Sequence, residues 1–255
     1  AMLAAVVTPN IAWSVRRSAA DREERALAAL AEGLVQSIRV TQTVPGAGTW
    51  AGAIAAQSGL SLDEVRYSRP STSSGLRVYL VHPGFSPVTS ANSDPVWTQG
   101  SGGAGQVANV RVLILGCSKA GLELPVSSGF AASASAFEQI WSWALNPSTR
   151  APPSGWPSSW TGQGEFLQVR RVNLGSEFHR LTFSNMQFPN EYPFVRVGAA
   201  SAVEVRSAAA IDGWYLSGTR VQLLKAAGVG STVDLTHTVV ASMNFVYENN
   251  RWRVP

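Results

Sequence analysis

The stretch from Ile11 to about Thr43 constrains the fold more than any other part of the chain. It contains no proline, and its only glycine is Gly33, so it can form one helix of about 30 residues. Its apolar residues recur at three- and four-residue steps, which is the spacing of one helical stripe. We expect this stripe to pack on a sheet; its members are Val15, Ala19, Leu27, Leu30, Leu34 and Ile38.

The opposite face of this helix carries charges of both signs. Asp21 and Arg25 stand four residues apart and can form an ion pair. A cluster of this kind is usually a solvated face, whereas in a filament it would contact neighbouring subunits, where alternating signs fix the register. The cluster consists of Arg16, Arg17, Asp21, Arg22, Glu23, Glu24, Arg25 and Glu32.

An apolar run precedes the charged part of the helix. Residues 1–7 are far fewer than the ~20 that a membrane-spanning helix needs, and they lack the basic region and cleavage site of a secretory signal. We interpret them as the exit end of a longer span, with roughly 13 of its residues upstream. The alternative is an ordinary buried amphipathic helix that begins with small apolar residues.

Pro9 follows this apolar run and allows two interpretations. Inside a helix, its missing N–H and its ring disrupt one turn, so the helix can bend or melt there, and Thr8 can bond to a freed carbonyl. Alternatively, Pro9 lies in the first turn of a helix that begins at that point, where proline is well tolerated.

The segment Leu3-Ala4-Ala5-Val6-Val7-Thr8-Pro9-Asn10 resembles the second half of the N-terminal helix of type IV pilins and type II secretion pseudopilins. In that family, an L-A-A run leads into a helix-breaking proline. The resemblance covers roughly residues 2–45, and the phenylalanine and glutamate that open the mature chains of the family have no counterpart in it. It implies a subunit whose methylated N-terminal helix anchors it in the bacterial inner membrane and later forms the core of a filament.

The resemblance also implies a fold and a set of working residues. The expected fold is α+β, with a long N-terminal helix packed on an antiparallel β-sheet head with extended loops. The partners would be other pilin-like subunits in a periplasmic or extracellular pilus, fimbrium or pseudopilus. Helix packing would use Leu3, Val7, Pro9, Val15, Leu27, Leu30, Leu34 and Ile38, and the inter-subunit charges would be Arg16, Arg17, Asp21, Glu23, Glu24 and Arg25.

Composition bounds the organisation and the partners. A chain of 255 residues can form one large or two small domains, and we expect a helix over residues 1–45 and one globular head over 46–255. The net charge is +4, but the basic residues are spread along the chain without a dense run. This distribution argues against nucleic-acid binding. Only 14% of the residues are charged, as in many exported proteins, and a single cysteine, Cys117, excludes an internal disulfide.

Local patterns predict the elements of the head. We expect helices over residues 50–57 and 130–145, and a capping box that opens a short helix at Ser61–Glu64. A long stretch rich in Gly, Ser and Pro, residues 83–106, is predicted to be a mobile loop, and Asn249 and Asn250 a tight turn. Strands are expected over residues 75–82, 109–115, 166–174, 178–183, 194–197, 202–206, 213–224 and 236–248, with a short final strand after 251.

Catalytic and cofactor patterns are weak throughout the chain. Residues 100–105 match G-x-G-x-x-G, but a strand rather than a helix is predicted to follow them, so a dinucleotide site is not expected. His82, His179 and His237 stand far apart, and none has a second ligand at metal spacing. We therefore expect no cofactor, no metal site and no enzymatic activity, and the dispersed acidic residues define no calcium site.

Tryptophans next to prolines are the best local candidates for a binding surface. Trp141, Trp143, Trp156 and Trp160, with Trp97 as a further member, could offer flat apolar faces to a sugar or a protein. The alternative is that Trp141 and one loop tryptophan hold the proline-rich loop against the core, as large aromatic residues often do.

Three hypotheses follow from the sequence. The preferred one is a structural filament subunit that assembles through its N-terminal helix. The second is a minor, tip-located or membrane-anchored binding module whose Trp/Pro loops contact a surface, a glycan or a secreted protein. The third, a membrane-anchored enzyme, requires a pocket that gathers histidine and acidic side chains from distant positions.

Overall fold

A computed structural model of the protein describes the backbone of residues 2–85, 88–89, 95–96, 110–125, 133–198, 201–206, 211–225 and 232–255. Side chains are described for the same ranges except residues 2–12, 88–89, 95–96 and 211–212. The described residues form a mixed α+β fold with one long N-terminal helix and mainly antiparallel sheets. The chain divides into two compact units: unit 1 holds residues 1–38, 44–84 and 111–173, and unit 2 holds 39–43, 85–110 and 174–255.

Helix α1 spans Met2–Thr41. It runs through Pro9 without a break, so the interpretation in which a helix begins at Pro9 is wrong. The predicted stripe is buried at Leu27, Leu30, Leu34 and Ile38, whose side chains are at most 1% exposed. The division into a helix over 1–45 and a head over 46–255 stays a prediction.

Val15 departs from the predicted stripe. Its side chain is 63% exposed. Every residue from 13 to 18 of α1 is exposed to solvent, so this part of the helix does not pack on the head. Leu3 and Val7 lie among the residues whose side chains are not described.

Unit 1 contains further elements that surround a three-stranded antiparallel sheet. Helices α2 (Trp50–Ser58) and α3 (Leu62–Arg66) lead into the hairpin of β1 (Tyr67–Arg69) and β2 (Ser74–Leu76). The sheet has the order β3 (Val78–Val81), β6 (Arg111–Cys117) and β7 (Leu167–Asn173), and helix α4 (Ala134–Ser142) lies between β6 and β7 in sequence. The predicted capping box is confirmed at Ser61 and Glu64.

The central strand β6 is covered on both faces. Leu113 and Leu115 pack with Phe137 and Ile140 of α4 in one apolar cluster. Side chains alternate along a strand, so Gly116 faces the opposite side, where it lies against Glu23 of α1. Because both faces of β6 are buried, its sequence is a nearly continuous run of apolar residues.

Unit 2 contains two four-stranded sheets. One has the order β10 (Val203–Glu204), β9 (Phe194–Val197), β12 (Arg220–Leu224) and β13 (Val233–Thr238). The other has the order β11 (Ile211–Leu216), β8 (Phe178–Asn185), β14 (Met243–Glu248) and β15 (Arg251–Arg253), and β8 runs parallel to β14. Both sheets contribute to one buried cluster that includes Phe183, Phe245 and Trp252 from the second and Val195 and Leu223 from the first.

Two predicted strands are each split in the structure. The strand expected over 213–224 divides into β11 and β12 because Gly218 adopts a φ of 90° in the turn between them. The strand expected over 236–248 divides into β13, which ends at Thr238, and β14, which begins at Met243. The tight turn at Asn249 and Asn250 is confirmed, with φ values of 49° and 59°.

The predicted loop over residues 83–106 lies mostly outside the described residues, as does the glycine motif at 100–105. Within it, β4 (Val88–Thr89) pairs with β5 (Pro95–Val96). Helix α4 ends at Ser142 rather than at residue 145, because Trp143 takes an extended conformation as its cap.

Candidate functional site

The amino-terminal part of α1 exposes large apolar side chains. Trp13 is 62% exposed and Val15 63% exposed, and the guanidinium of Arg17 lies 5.3 Å from the centre of the Trp13 ring. Trp13 and Val15 stand two residues apart, so they point about 200° apart around the helix axis. Each exposes apolar area to water on a different side of the helix.

The predicted charged face is largely exposed. The side chains of Arg16, Arg17, Asp21, Glu24 and Arg25 all lie in solvent. Arg25 Nε donates to the backbone carbonyl of Asp21 at 3.1 Å, so the contact between these two residues runs to the backbone rather than to the predicted carboxylate. The exposed charges are available to neighbouring molecules.

Glu23 was assigned to the charged face, and that prediction is wrong. Its side chain is 5% exposed and pairs with the side chain of Arg77, which is 3% exposed. Arg77 Nε donates to Oε1 of Glu23 at 2.7 Å, and Nη2 donates to Oε2 at 2.9 Å. Ser68 Oγ also donates to Oε1 at 2.9 Å. Two parallel charge-assisted hydrogen bonds of this kind pair the charges and also hold the two side chains in one relative orientation.

Backbone carbonyls hold the guanidinium of Arg77 on its other side. Nη1 donates to the carbonyls of Glu64 at 2.6 Å and Val65 at 3.1 Å. The buried pair is therefore hydrogen-bonded on both partners, which is the condition under which a buried ion pair is tolerated. It attaches α1 to unit 1 at the point where the helix passes from exposed to buried.

A second attachment lies in unit 2, at the end of α1. Arg39 donates to both carboxylate oxygens of Glu177 at 2.7 Å, and the hydrogen bond to Glu177 raises the pKa of the guanidinium. Gln42 Nε2 donates to the carbonyl of Ser217 at 2.7 Å, and Thr219 Oγ1 donates to Gln42 Oε1 at 2.7 Å. Residues 39–42 are thus held by Glu177, which immediately precedes β8, and by Ser217 and Thr219, which lie between β11 and β12.

The structure separates the four candidate tryptophans. Trp156 and Trp160 are each 8% exposed and belong to the cluster that covers β6. Their prediction as binding aromatics is therefore wrong, and two loop tryptophans pack on the core where the alternative expected one. Trp141 and Trp143 are half-buried. Trp141 stacks on Phe137 at 5.9 Å, and Trp143 Nε1 donates to the carbonyl of Ala151 at 3.2 Å.

One histidine lies beside a carboxylate. His82 is 4% exposed, and its Nε2 lies 3.3 Å from Oε1 of Glu138. Its Nδ1 accepts from the N–H of Gly84 at 2.9 Å, which makes Nε2 the protonated nitrogen of the neutral ring. Arg111 donates to both oxygens of Glu138. The Glu138 carboxylate therefore contacts both Arg111 and His82.

The pKa values of this group follow from burial and charge. Burial, and to a lesser degree Arg111, hold the pKa of His82 below its usual value. The hydrogen bond from Arg111 lowers the pKa of Glu138. A neutral histidine beside an ionised carboxylate can accept a proton, but Phe137 packs edge-on at 4.9 Å against its ring, so the arrangement is that of a packed structural contact.

The other titratable candidates lie apart. His179 Nε2 and Ser217 Oγ share a hydrogen bond of 2.7 Å, and His237 packs edge-on against Phe245 at 5.6 Å. Cys117 is fully buried, and burial raises the pKa of its thiol. Within the described ranges, no three His, Cys, Asp or Glu side chains are grouped so as to hold a metal ion.

A surface loop outside the predicted binding segments exposes three large side chains. Met186, Phe188 and Tyr192 are 56%, 45% and 48% exposed, and the rings of Phe188 and Tyr192 pack edge to face at 6.2 Å. Asn185, which is 1% exposed, holds the loop by donating to the carbonyls of Glu191 and Val205. Two aromatic–proline pairs between two predicted strands are the sequence signal that was available.

Among the helices that the structure describes, none has a stretch that is apolar over enough length to cross a membrane. Comparison of the chain with protein-family models, with curated proteins and with solved structures finds no significant match.

Proposed function

We propose that this protein is a structural subunit of a bacterial type IV pilus-like or type II secretion pseudopilus filament that assembles through its N-terminal helix. The observation that carries the proposal is the contrast along α1: Val15 is 63% exposed, whereas Leu34 and Ile38 are fully buried. The buried half attaches the helix to the rest of the subunit, and the exposed half presents apolar side chains that need a partner.

The side chains on the exposed half of α1 suit contact with the same helix of another subunit. Its apolar residues Trp13 and Val15 are followed by exposed arginines and carboxylates, so the exposed surface carries charges of both signs. Apolar contact supplies the association energy, and opposite charges on adjacent copies fix the register. Before assembly, the same helix would anchor the subunit in the inner membrane, and the assembled filament would lie in the periplasm or outside the cell.

Two matched valine substitutions test this proposal. Val15→Asp places a charge on the exposed part of α1, and Val240→Asp places the same charge on a valine of unit 2 that is 69% exposed. We expect both variants to keep the wild-type unfolding midpoint, because neither valine is buried. Negative-stain microscopy of sheared surface material should show fibres for the wild type and V240D and none for V15D. Fibres from V15D at the wild-type level would contradict the proposal.

A second candidate function is a binding subunit, which the exposed loop around Phe188 favours. A loop that Asn185 holds by hydrogen bonds and that exposes Met186, Phe188 and Tyr192 resembles the aromatic centre of many protein–protein interfaces. The partner would be a surface or secreted protein. Filaments that form normally from the variant Phe188→Ala/Tyr192→Ala but no longer retain a secreted protein would support this second candidate.

A further inference from the structure

The exposed charges of α1 between residues 21 and 25 separate by sign around the helix. Successive residues of an α-helix are rotated by about 100°, so Asp21 and Glu24 point about 60° apart on one side, and Arg22 and Arg25 about 60° apart on the next. All four side chains are exposed to solvent. The helix therefore has an acidic flank, formed by Asp21 and Glu24, and a basic flank, formed by Arg22 and Arg25.

These four charges are not paired within the subunit. Among the described residues of α1, the ion pairs involve only Glu23 and Arg39. Arg25 Nε donates to the backbone carbonyl of Asp21 at 3.1 Å, so that hydrogen bond does not use the Asp21 carboxylate. The charge that complements each flank lies on the other flank, and a second copy of the helix can present it.

Each flank continues into one exposed apolar side chain. Around the helix axis, Trp13 lies about 20° from Glu24, and Val15 lies about 20° from Arg22. Trp13 and Val15 are 62% and 63% exposed. Both flanks therefore have the same order along the helix, with an apolar residue first and the charges about two to three turns later.

We propose that the basic flank of one copy binds the acidic flank of the next copy, with the two α1 helices parallel and with little axial stagger. In this arrangement Val15 contacts Trp13 of the neighbour while the arginines contact its carboxylates, because the matching residues differ by at most two positions, about 3 Å along the axis. An antiparallel arrangement would keep the charge contacts but would separate the two exposed apolar side chains.

Arg17 disfavours one alternative alignment. It stands four residues before Asp21, on the same side of the helix, and its guanidinium lies 5.3 Å from the centre of the Trp13 ring. A neighbour shifted by about one turn toward the amino terminus would bring its Arg22 towards Arg17. Like charges brought together in an interface are unfavourable, so Arg17 opposes that shift.

The contact joins two different surfaces, so it is heterologous. A heterologous contact repeats from copy to copy and generates a ring or an open helical assembly rather than a closed two-fold dimer. This inference deepens the proposed function and rests on it for the identity of the partner, a second copy of this chain. It names the side chains through which adjacent copies recognise each other.

Charge reversal tests the pairing of the two flanks. Arg22→Glu/Arg25→Glu makes both flanks acidic, and Asp21→Arg/Glu24→Arg makes both flanks basic. We expect each variant to fold like the wild type, since all four residues are exposed, but to form no fibres when expressed alone. The two variants expressed together in cells that lack the wild-type gene should form fibres, because each supplies the flank that the other has lost.

Arg220→Glu/Arg251→Glu is the matched control, because it makes the same change of net charge at two exposed arginines of unit 2; it should form fibres. Fibres from either α1 variant alone at the wild-type level would overturn the proposal. Absence of fibres when the two variants are expressed together would overturn it too, since the flanks would then contact another protein or a membrane surface.

Cross-linking of the purified, concentrated protein separates this proposal from the proposed function. In Arg22→Lys/Arg25→Lys, a carbodiimide joins a lysine amine to a carboxylate in ion-pair contact with it. The variant is mixed with an equal amount of the same variant labelled with the heavy nitrogen isotope. We expect cross-linked peptides that contain both isotopes and connect position 22 or 25 with Asp21 or Glu24.

Arg220→Lys/Arg251→Lys is the control for cross-linking and should give no peptide of mixed isotopes. Absence of mixed peptides from R22K/R25K would overturn the proposed contact. A wild-type protein that forms no fibres, together with mixed peptides from R22K/R25K, would contradict the filament function and support the contact between copies.

Discussion

A side chain at Gly116 would collide with Glu23, because its Cβ would lie 2.9 Å from the carboxyl carbon of that residue. The contact joins the central strand of unit 1 to the long helix, and it involves the one buried charge that the helix carries. A substitution at either position therefore acts on the attachment of α1 to unit 1.

Gly116→Ala should lower the free energy of unfolding by about 3 kcal/mol, since the added methyl group overpacks the site and displaces Glu23 from Arg77. Urea denaturation measures the change. Gly52→Ala is the control: Gly52 lies in α2 with no atom near the added Cβ, and alanine should raise stability by about 0.5 to 1 kcal/mol. Equal stability of the two variants would contradict this assignment.

Asn185→Ala should loosen the loop that exposes Phe188. The amide of Asn185 donates to the carbonyls of Glu191 and Val205 at 2.8 and 3.0 Å and accepts from the N–H of Gln187 at 2.9 Å. Loss of these bonds in a buried site should lower the free energy of unfolding by about 2 kcal/mol. Amide hydrogen exchange should accelerate at residues 186–192. Asn190→Ala, at an exposed position of the same loop, should change neither quantity.

The pair of His82 and Glu138 should make stability depend on pH. The folded state lowers the pKa of His82 below the value of 6.5 expected for an unfolded chain, so below that pH the unfolded chain binds more protons. Stability should therefore fall as pH decreases through 6.5, by at most about 1.4 kcal/mol per pH unit from this one group. The pKa of Glu138 is also lowered, so its contribution is lost at still lower pH.

His82→Gln removes the histidine contribution. Chemical denaturation between pH 5 and 7.5 should show a flatter stability profile for H82Q than for the wild type. His179→Gln is the control and should keep the wild-type slope, since it leaves His82 in place. If H82Q kept the wild-type slope of stability against pH, a group other than His82 would be responsible for that slope.

Arg171→Met should destabilise α4 at its carboxyl end. Arg171 Nε donates to the carbonyl of Trp141 at 2.5 Å, and its Nη2 donates to those of Ile140 and Trp143. A cation that satisfies the last carbonyls of a helix is favourable for both bonding and the helix dipole, so we expect a loss of about 1 to 3 kcal/mol. Arg170→Met, at the exposed neighbour, should stay within about 0.5 kcal/mol of the wild type.

Local sequence patterns correctly predicted the elements that depend only on residues close to one another in sequence. The period of Leu27, Leu30, Leu34 and Ile38 identified the buried side of α1, and the capping box at Ser61 and the turn at Asn249 depend on residues close in sequence. Each of these features needs only its own segment to form.

The failures came from long-range packing. Glu23 lies between Arg22 and Glu24, so it was grouped with the exposed charges, although its spacing from Leu27 places it on the buried stripe. Its partner Arg77 is 54 residues away, and no local pattern reports such a pair. Burial of Trp156 and Trp160 likewise depends on a cluster that strands and α4 form together.

The central claim is that this protein assembles into filaments through its N-terminal helix. Its most direct test is mass spectrometry of the mature N-terminus of the native protein together with negative-stain microscopy of sheared surface material. We expect a processed, methylated N-terminus in thin fibres that contain this protein. An unprocessed chain confined to membrane fractions, with no fibres, would contradict the claim.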